Sequence, residues 1–352
     1  LMQPELSHWN PKNAFEGDDS YEYYQKELKQ TILWLVNHPS FVMLTFGNEL
    51  WTGELGHQRM NAMVELAHSL DITRMYANGS NPHYGTIGCD VKSDFYTSQK
   101  YFEYDLRGTF AAMPGDDGIQ GYINNQYPSA CVNYDDSMKH LRETYEKPVF
   151  SFEVGQFEVL PDFGELEEFH GISDPANLCL IQEKAEKLGM IDNWKAYVEA
   201  TGEISRIGYR EEVEAVMRTE DMSGISLLGL QDFPGQGTAL VGMINSHMEP
   251  KPFDFAKPER FSSFFRAQLP LVALPKYTYE SGEMLEAEVR IANYGKTNMT
   301  GPIGYCLEGG KIRKCGELPA VICPAGGITS AGKIEISLED IDESVRLDLT
   351  VE

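Results

Sequence analysis

The chain has 352 residues, 54 of them acidic and 29 basic, for a net charge of −25. That balance argues against a nucleic-acid or anionic-membrane partner, because phosphate binding needs a positive surface. Hydrophobic residues make up 42% and aromatics 11%, enough apolar surface to exclude disorder over most of the chain, and no apolar stretch reaches the ~20 residues of a spanning helix.

The opening LMQPELSHWN has no Met start, basic region or cleavage site. It reads as the inside of a folded domain, so the natural protein is expected to be longer. The start gives no address, and a periplasmic or secreted location would suit the full protein. In residues 20–37, Tyr24, Leu28, Ile32 and Leu35 fall at helical spacing, and Asp18, Asp19 and Ser20 suit the positive end of that helix. Residues 41–46, FVMLTF, are an unbroken apolar run of strand length. Residues 56–70 are helical again through Met60, Met63, Val64 and Ala67. Residues 73–77 and 94–97 read as strands, 135–145 as a charged amphipathic helix, and 149–152 and 224–230 as further buried strands.

Strand and helix alternating at this spacing imply a parallel sheet with helical crossovers, of about five strands. Apolar strands imply that both sheet faces are covered. Residues 161–222 are rich in helix formers and read as a helical insertion. Pro270 and Pro275 bracket a linker at 269–276. Beyond it the pattern has period two, at Tyr277–Tyr279, 285–291, 333–338 and 345–351, which implies an antiparallel β-sandwich. The expected domains are therefore 1–268, an α/β unit, and 277–352, a sandwich that is either complete or cut short. The six cysteines, Cys89, Cys131, Cys179, Cys306, Cys315 and Cys323, form no CxxC pair, which disfavours zinc. Free buried thiols are the expected state, with a Cys306–Cys315 pair across a hairpin as the alternative.

Two glutamates each follow a buried strand: Glu49 ends FVMLTFGNE and Glu153 ends PVFSFE. In a parallel α/β barrel the carboxyl ends of the strands form the active face. Two carboxylates about 5 to 5.5 Å apart suit retaining glycoside hydrolysis, one protonated to assist departure and one ionised to attack. A lone acid at a strand end is most often ordinary; two on separate strands are more informative.

HPSFVMLTFGNELW resembles the acid/base motif of glycoside hydrolase family 2 and of its clan of TIM-barrel β-glycosidases, with His38-Pro39-Ser40 ahead of the strand and Gly47-Asn48-Glu49 closing it. KPVFSFEVGQF is similar to the family's seventh strand, which carries the nucleophile. The resemblance runs from residue 1 to about 265. It implies a (β/α)8 TIM barrel lacking its first two strands, with strands 3/4 to 8 present, followed by an immunoglobulin-like sandwich. It implies Glu49 as general acid/base, Glu153 as nucleophile and Asn48 on the sugar 2-hydroxyl. A tyrosine that hydrogen-bonds the nucleophile is assigned to Tyr101, or to Tyr96, with wall packing as the other reading for both. Trp51 is a candidate sugar platform or a core residue. His8, Trp9 and His83 are rim candidates or loop residues, and Gln231 and Asp232 close strand eight. A tryptophan usual near there is absent, which leaves the sugar preference open.

The implied activity is that of a retaining exo-β-glycosidase on a terminal β-glycoside. The insertion at 161–222 favours a walled pocket over the open cleft of an endo-glycanase. A catalytically incomplete carbohydrate-binding or scaffold fragment is the alternative. No ligand set for a metal and no cofactor is assigned. The partners implied are the carbohydrate and either the missing N-terminal strands and domains or another chain.

Overall fold

The computed structural model describes residues 1–82, 89–107, 132–233 and 240–352. Two compact units emerge: Leu1–Arg107 with Tyr134–Glu153 and Asp221–Ser226, and a second built mainly from Val154–Glu220 and Leu227–Glu352.

The first unit holds α1 (Asp18–Leu35), β1 (Met43–Thr45), α2 (Glu54–Leu70), β2 (Met75–Ala77), β3 (Tyr96–Ser98), the hairpin β4 (Lys100–Tyr101) and β5 (Tyr104–Asp105), α3 (Asp135–Arg142), and the starts of β6 (Val149–Gly155) and β7 (Gly224–Leu228). Each element lies where the apolar spacing places it, apart from the hairpin. β1 pairs with β2 and β3 with β6 in parallel, while β4 and β5 form an antiparallel hairpin. Residues 2–9 run beside 41–48 through bridges at Met2/Phe41, Glu5/Thr45 and Trp9/Asn48. β1 pairs with β2 from Met43/Met75 to Thr45/Ala77. β3 pairs with β6 from Tyr96/Val149 to Ser98/Ser151, and β7 lies on the far side of β6.

Apolar burial fixes this arrangement. α1 turns Leu28 and Ile32 inward, and α2 turns Met60, Met63, Val64 and Ala67 inward, onto Phe41, Leu44, Phe46 and Tyr76. Each full burial of such a side chain stabilises by about 1.5–3 kcal/mol. The strands are less uniformly apolar than their runs imply. Thr45, Ser80, Thr97 and Ser151 are fully buried, and Thr45 Oγ1 meets Ser80 Oγ at 2.8 Å.

The second unit holds α4 (Ala176–Lys187), α5 (Trp194–Arg218), the short α6 (Pro258–Phe261) and six strands: β8 (Gln268–Ala273), β9 (Met284–Asn293), β10 (Met299–Gly309), β11 (Ile312–Cys323), β12 (Gly327–Ser337) and β13 (Asp348–Val351). The six form two antiparallel sheets, ordered β12-β9-β8 and β11-β10-β13. Leu285, Val289, Ile303, Leu307, Leu318 and Ile334 share one core, so the sheets make a sandwich.

Three expectations change here. The stretch 269–276 is not a plain linker: β8 runs through it to Ala273 and pairs with β9. Pro270 is tolerated because β8 is an edge strand. β10 and β11 are long strands despite Pro302 and Pro319, which both fall inside the register shift between Gly301 and Ile303, where ladder bonds lapse. Cys306 and Cys315 are direct partners in that ladder and are joined as a disulfide rather than left as free thiols. Cys89, Cys179 and Cys323 are free; Cys131 lies outside the described residues.

Candidate active site

The path from β1 to Glu49 depends on one glycine. Gly47 has φ +142°, and a Cβ there would lie 2.2 Å from the His8 carbonyl oxygen. That carbonyl accepts the Asn48 N–H at 2.9 Å, and the Glu49 N–H donates to the Ser80 carbonyl at 3.0 Å. The close approach carries Asn48 and Glu49 out at the carboxyl end of the sheet. Gly47→Ala is expected to cost about 1–3 kcal/mol in urea unfolding and to displace Asn48 and Glu49; an unchanged midpoint would contradict this packing.

Glu49 has φ 54° and Glu153 φ 55°, and no other glutamate among the described residues has left-handed backbone. Such backbone costs of order 1–3 kcal/mol and is often found at functional sites. Asn48 links the two glutamates. Its Nδ2 donates to Glu153 Oε1 at 3.4 Å, while its Oδ1 is buried with no hydrogen-bond partner among the described residues. Trp9 Nε1 donates to Glu49 Oε2 at 3.2 Å. Gln99 Nε2 donates to Glu153 Oε2. Arg107 bonds the Glu153 main-chain carbonyl and stands 3.9 Å from Oε2.

The Glu153 side chain is 14% exposed. Burial raises its pKa and the negative charge of Glu49 adds to this, while Arg107, Gln99 and Asn48 pull against both. Glu5 lies opposite Thr45. Its carboxyl is also raised, first by desolvation and then by the charges of Glu153 and Glu49, against a hydrogen bond from Ser80. Three carboxylates thus share one field, with Arg107 as the nearby cation.

Of the residues expected at the site, Glu49, Glu153, Asn48 and Trp9 come together. Trp51 follows directly; the residue is 45% exposed and its backbone is pinned to Pro11 and Ala14. Tyr96 and Tyr101 do not reach Glu153. The Tyr96 hydroxyl donates to the Lys100 carbonyl at 2.9 Å, and the Tyr101 hydroxyl meets Thr144 Oγ1 at 2.8 Å. His8 stacks on Tyr24 at 4.3 Å and meets the edge of Phe15. Gln231 and Asp232 belong to the second unit. Gln231 Nε2 donates to the Ser246 carbonyl at 3.3 Å. Asp232 is 2% exposed and is engaged with Lys251 at 2.9 Å and the Gly242 N–H at 2.7 Å, so it is a structural ion pair. His83 lies outside the described residues.

Burial pushes the His8 pKa down to about 4 from 6.5. The unfolded chain therefore takes up this proton at higher pH than the folded one. Stability is expected to fall as pH drops from 6.5 to about 4, the loss being complete below that. His8→Phe, which keeps the stacking, should flatten the slope in thermal unfolding across that window; an unchanged slope would sink the argument.

Sequence reasoning missed Gln99, Arg107 and Glu5. Gln99 follows β3 directly, so the strand-end rule that found the glutamates would have reached it. Arg107 carries no motif. Among the described residues, Glu199, Glu203 and Asp254 are close enough to share an ion. However, Arg260 already pairs with Glu203 and Asp254, and Glu199 accepts backbone N–H groups at 3.3 and 3.1 Å.

A pair of glutamates near the carboxyl ends of parallel strands is an arrangement that glycoside hydrolysis can use. Residues 2–174 match the family model described as glycosyl hydrolases family 2, TIM barrel domain. Residues 283–352 match a domain of unknown function, DUF8488. Comparison with curated proteins gives no match. Among solved structures, the chain is similar to the exo-chitosanase CsxA of Amycolatopsis orientalis, with TM-score 0.53, 12% identity, 99% of this chain and 40% of that one. A complex of a CsxA variant with PNP-beta-D-glucosamine gives 0.55 and 10%, over 100% of this chain and 40% of that one. An FMN-binding beta-glucuronidase from Facaelibacterium prausnitzii L2-6 gives 0.43 and 14%, over 99% of this chain and 46% of that one. The chain thus spans less than half the length of each.

Proposed function

We propose that the chain is the catalytic part of a retaining β-glycosidase acting on terminal β-glycosides. The observation that carries this reading is the pair Glu49 and Glu153 at two parallel strand ends, linked through Asn48. Glu153 attacks the anomeric carbon while Glu49 protonates the glycosidic oxygen, and the aglycone leaves. A covalent glycosyl ester on Glu153 remains. Glu49, now a carboxylate, takes a proton from water, which attacks the same carbon and releases the sugar with its configuration retained. In this reading Asn48 binds the 2-hydroxyl, and its unpartnered Oδ1 supports an acceptor role. Trp9 orients Glu49 through its indole N–H. Exo-action is part of the proposal, as is the reading of the sandwich as an immunoglobulin-like accessory domain.

The test is a panel of aryl β-glycosides. The sugars are galactose, glucose, mannose and glucosamine, with glucuronic and galacturonic acid. Proton NMR follows the first sugar released. The β-anomer appearing first from one of them supports the reading. The α-anomer first, or no release from any sugar, would overturn it.

A further inference from the structure

Glu153 is held by groups that the family resemblance does not supply. Both tyrosines offered for that purpose are committed to Lys100 and Thr144. The carboxylate instead receives the Gln99 amide on Oε2 and the Asn48 amide on Oε1 at 3.4 Å. Gln99 is itself pinned on both sides of its peptide. Its N–H donates to Asn81 Oδ1 at 3.2 Å, and its carbonyl accepts from the Leu106 N–H at 2.8 Å. Asn81 is buried and its own N–H donates to the Thr97 carbonyl at 2.9 Å. The side chain therefore leaves from a backbone with little freedom to shift.

An amide differs from a phenol in two ways. It stays neutral at all relevant pH, whereas a tyrosine hydroxyl ionises near pH 10. It also donates two N–H groups, which an ionised carboxylate can accept and a protonated carboxyl accepts less well. Donation to Oε2 thus favours the charged form and leaves Oε1 the less tightly bound oxygen.

We propose that Gln99 is the positioning residue of the nucleophile: with Arg107 beside it, the amide fixes Oε2 of Glu153, keeps the carboxylate ionised and leaves Oε1 to attack. This rests on the reading of Glu153 as nucleophile. Burial acts the other way, raising the carboxyl, so the loss of a donor has a definite sign.

The test uses the whole 352-residue chain, labelled with 13C at the glutamate carboxyl, with Glu153→Gln to assign the resonance. Gln99→Met removes the donor at similar shape and should raise the Glu153 midpoint by about one pH unit. Gln99→Glu puts a second carboxylate there and should raise it further. In turnover, kcat should fall about 100-fold in Gln99→Met with KM little changed, because misplacement acts on the attack. Should one variant fail to fold, the isosteric other still decides the sign. Unmoved midpoints in folded variants would overturn the proposal. If Glu153 is nonetheless trapped covalently, the nucleophile reading survives that result; if Glu153 is never trapped, that reading fails and takes this one with it.

Discussion

Glu153→Gln should abolish turnover, with a fall on the order of 10^5-fold in kcat, the scale seen when a covalent nucleophile is removed. A neutral amide cannot form the glycosyl ester, and no other described carboxylate shares its partners. Glu49 bonds Trp9 and Glu5 bonds Ser80, while Glu153 alone receives Asn48, Gln99 and Arg107. The same substitution should stabilise the fold at neutral pH. A carboxyl whose pKa is raised in the fold is one whose charged form the fold disfavours, so wild-type stability falls as pH rises through the raised value. Gln removes that charge while keeping the shape. An inactive protein with a higher melting temperature is the expected pair of results. Activity together with stability loss would argue that Glu153 is structural. The same raised pKa predicts that wild-type activity declines on the acid side at a higher pH than an unperturbed glutamate would give.

Glu49→Gln should divide substrates by leaving group. A natural glycoside needs protonation at the bridging oxygen, and losing the acid should cost about 10^2 to 10^4-fold. A dinitrophenyl glycoside needs little assistance, so its first step should be nearly preserved. Its second step lacks the base, so the ester should accumulate and a burst of phenol should appear. Equal losses on both substrates, without a burst, would remove Glu49 from the acid/base role.

The parts of the fold legible in the sequence were those carried by side-chain periodicity. Leu28 and Ile32 recur at helical spacing and are buried; FVMLTF is apolar because β1 is covered on both faces. Glu49 and Glu153 were legible because they close such runs. Asp232 shows the limit of that signal. It also closes an apolar run, but Lys251, 19 residues on, takes its charge, and only the fold brings the two together. Tyr96 and Tyr101 were placed by offset, whereas the β4–β5 hairpin turns Tyr101 toward Thr144 and leaves Gln99 facing Glu153. The hairpin has two residues in each strand, too few for any period to register. β8, β10 and β11 were hidden by their prolines. Those prolines are harmless only at an edge and in a register shift, and both are properties of strand pairing.

The measurement that bears most directly on the nucleophile is covalent trapping. The chain is incubated with 2-deoxy-2-fluoro β-glycosides of galactose, glucose, mannose and glucuronic acid. Intact mass is then recorded and the labelled peptide mapped. The expected result is a single added sugar from one of the four, attached to Glu153. A label on another residue, or none from a folded protein that hydrolyses the matching aryl glycoside, would contradict the assignment of Glu153 as nucleophile.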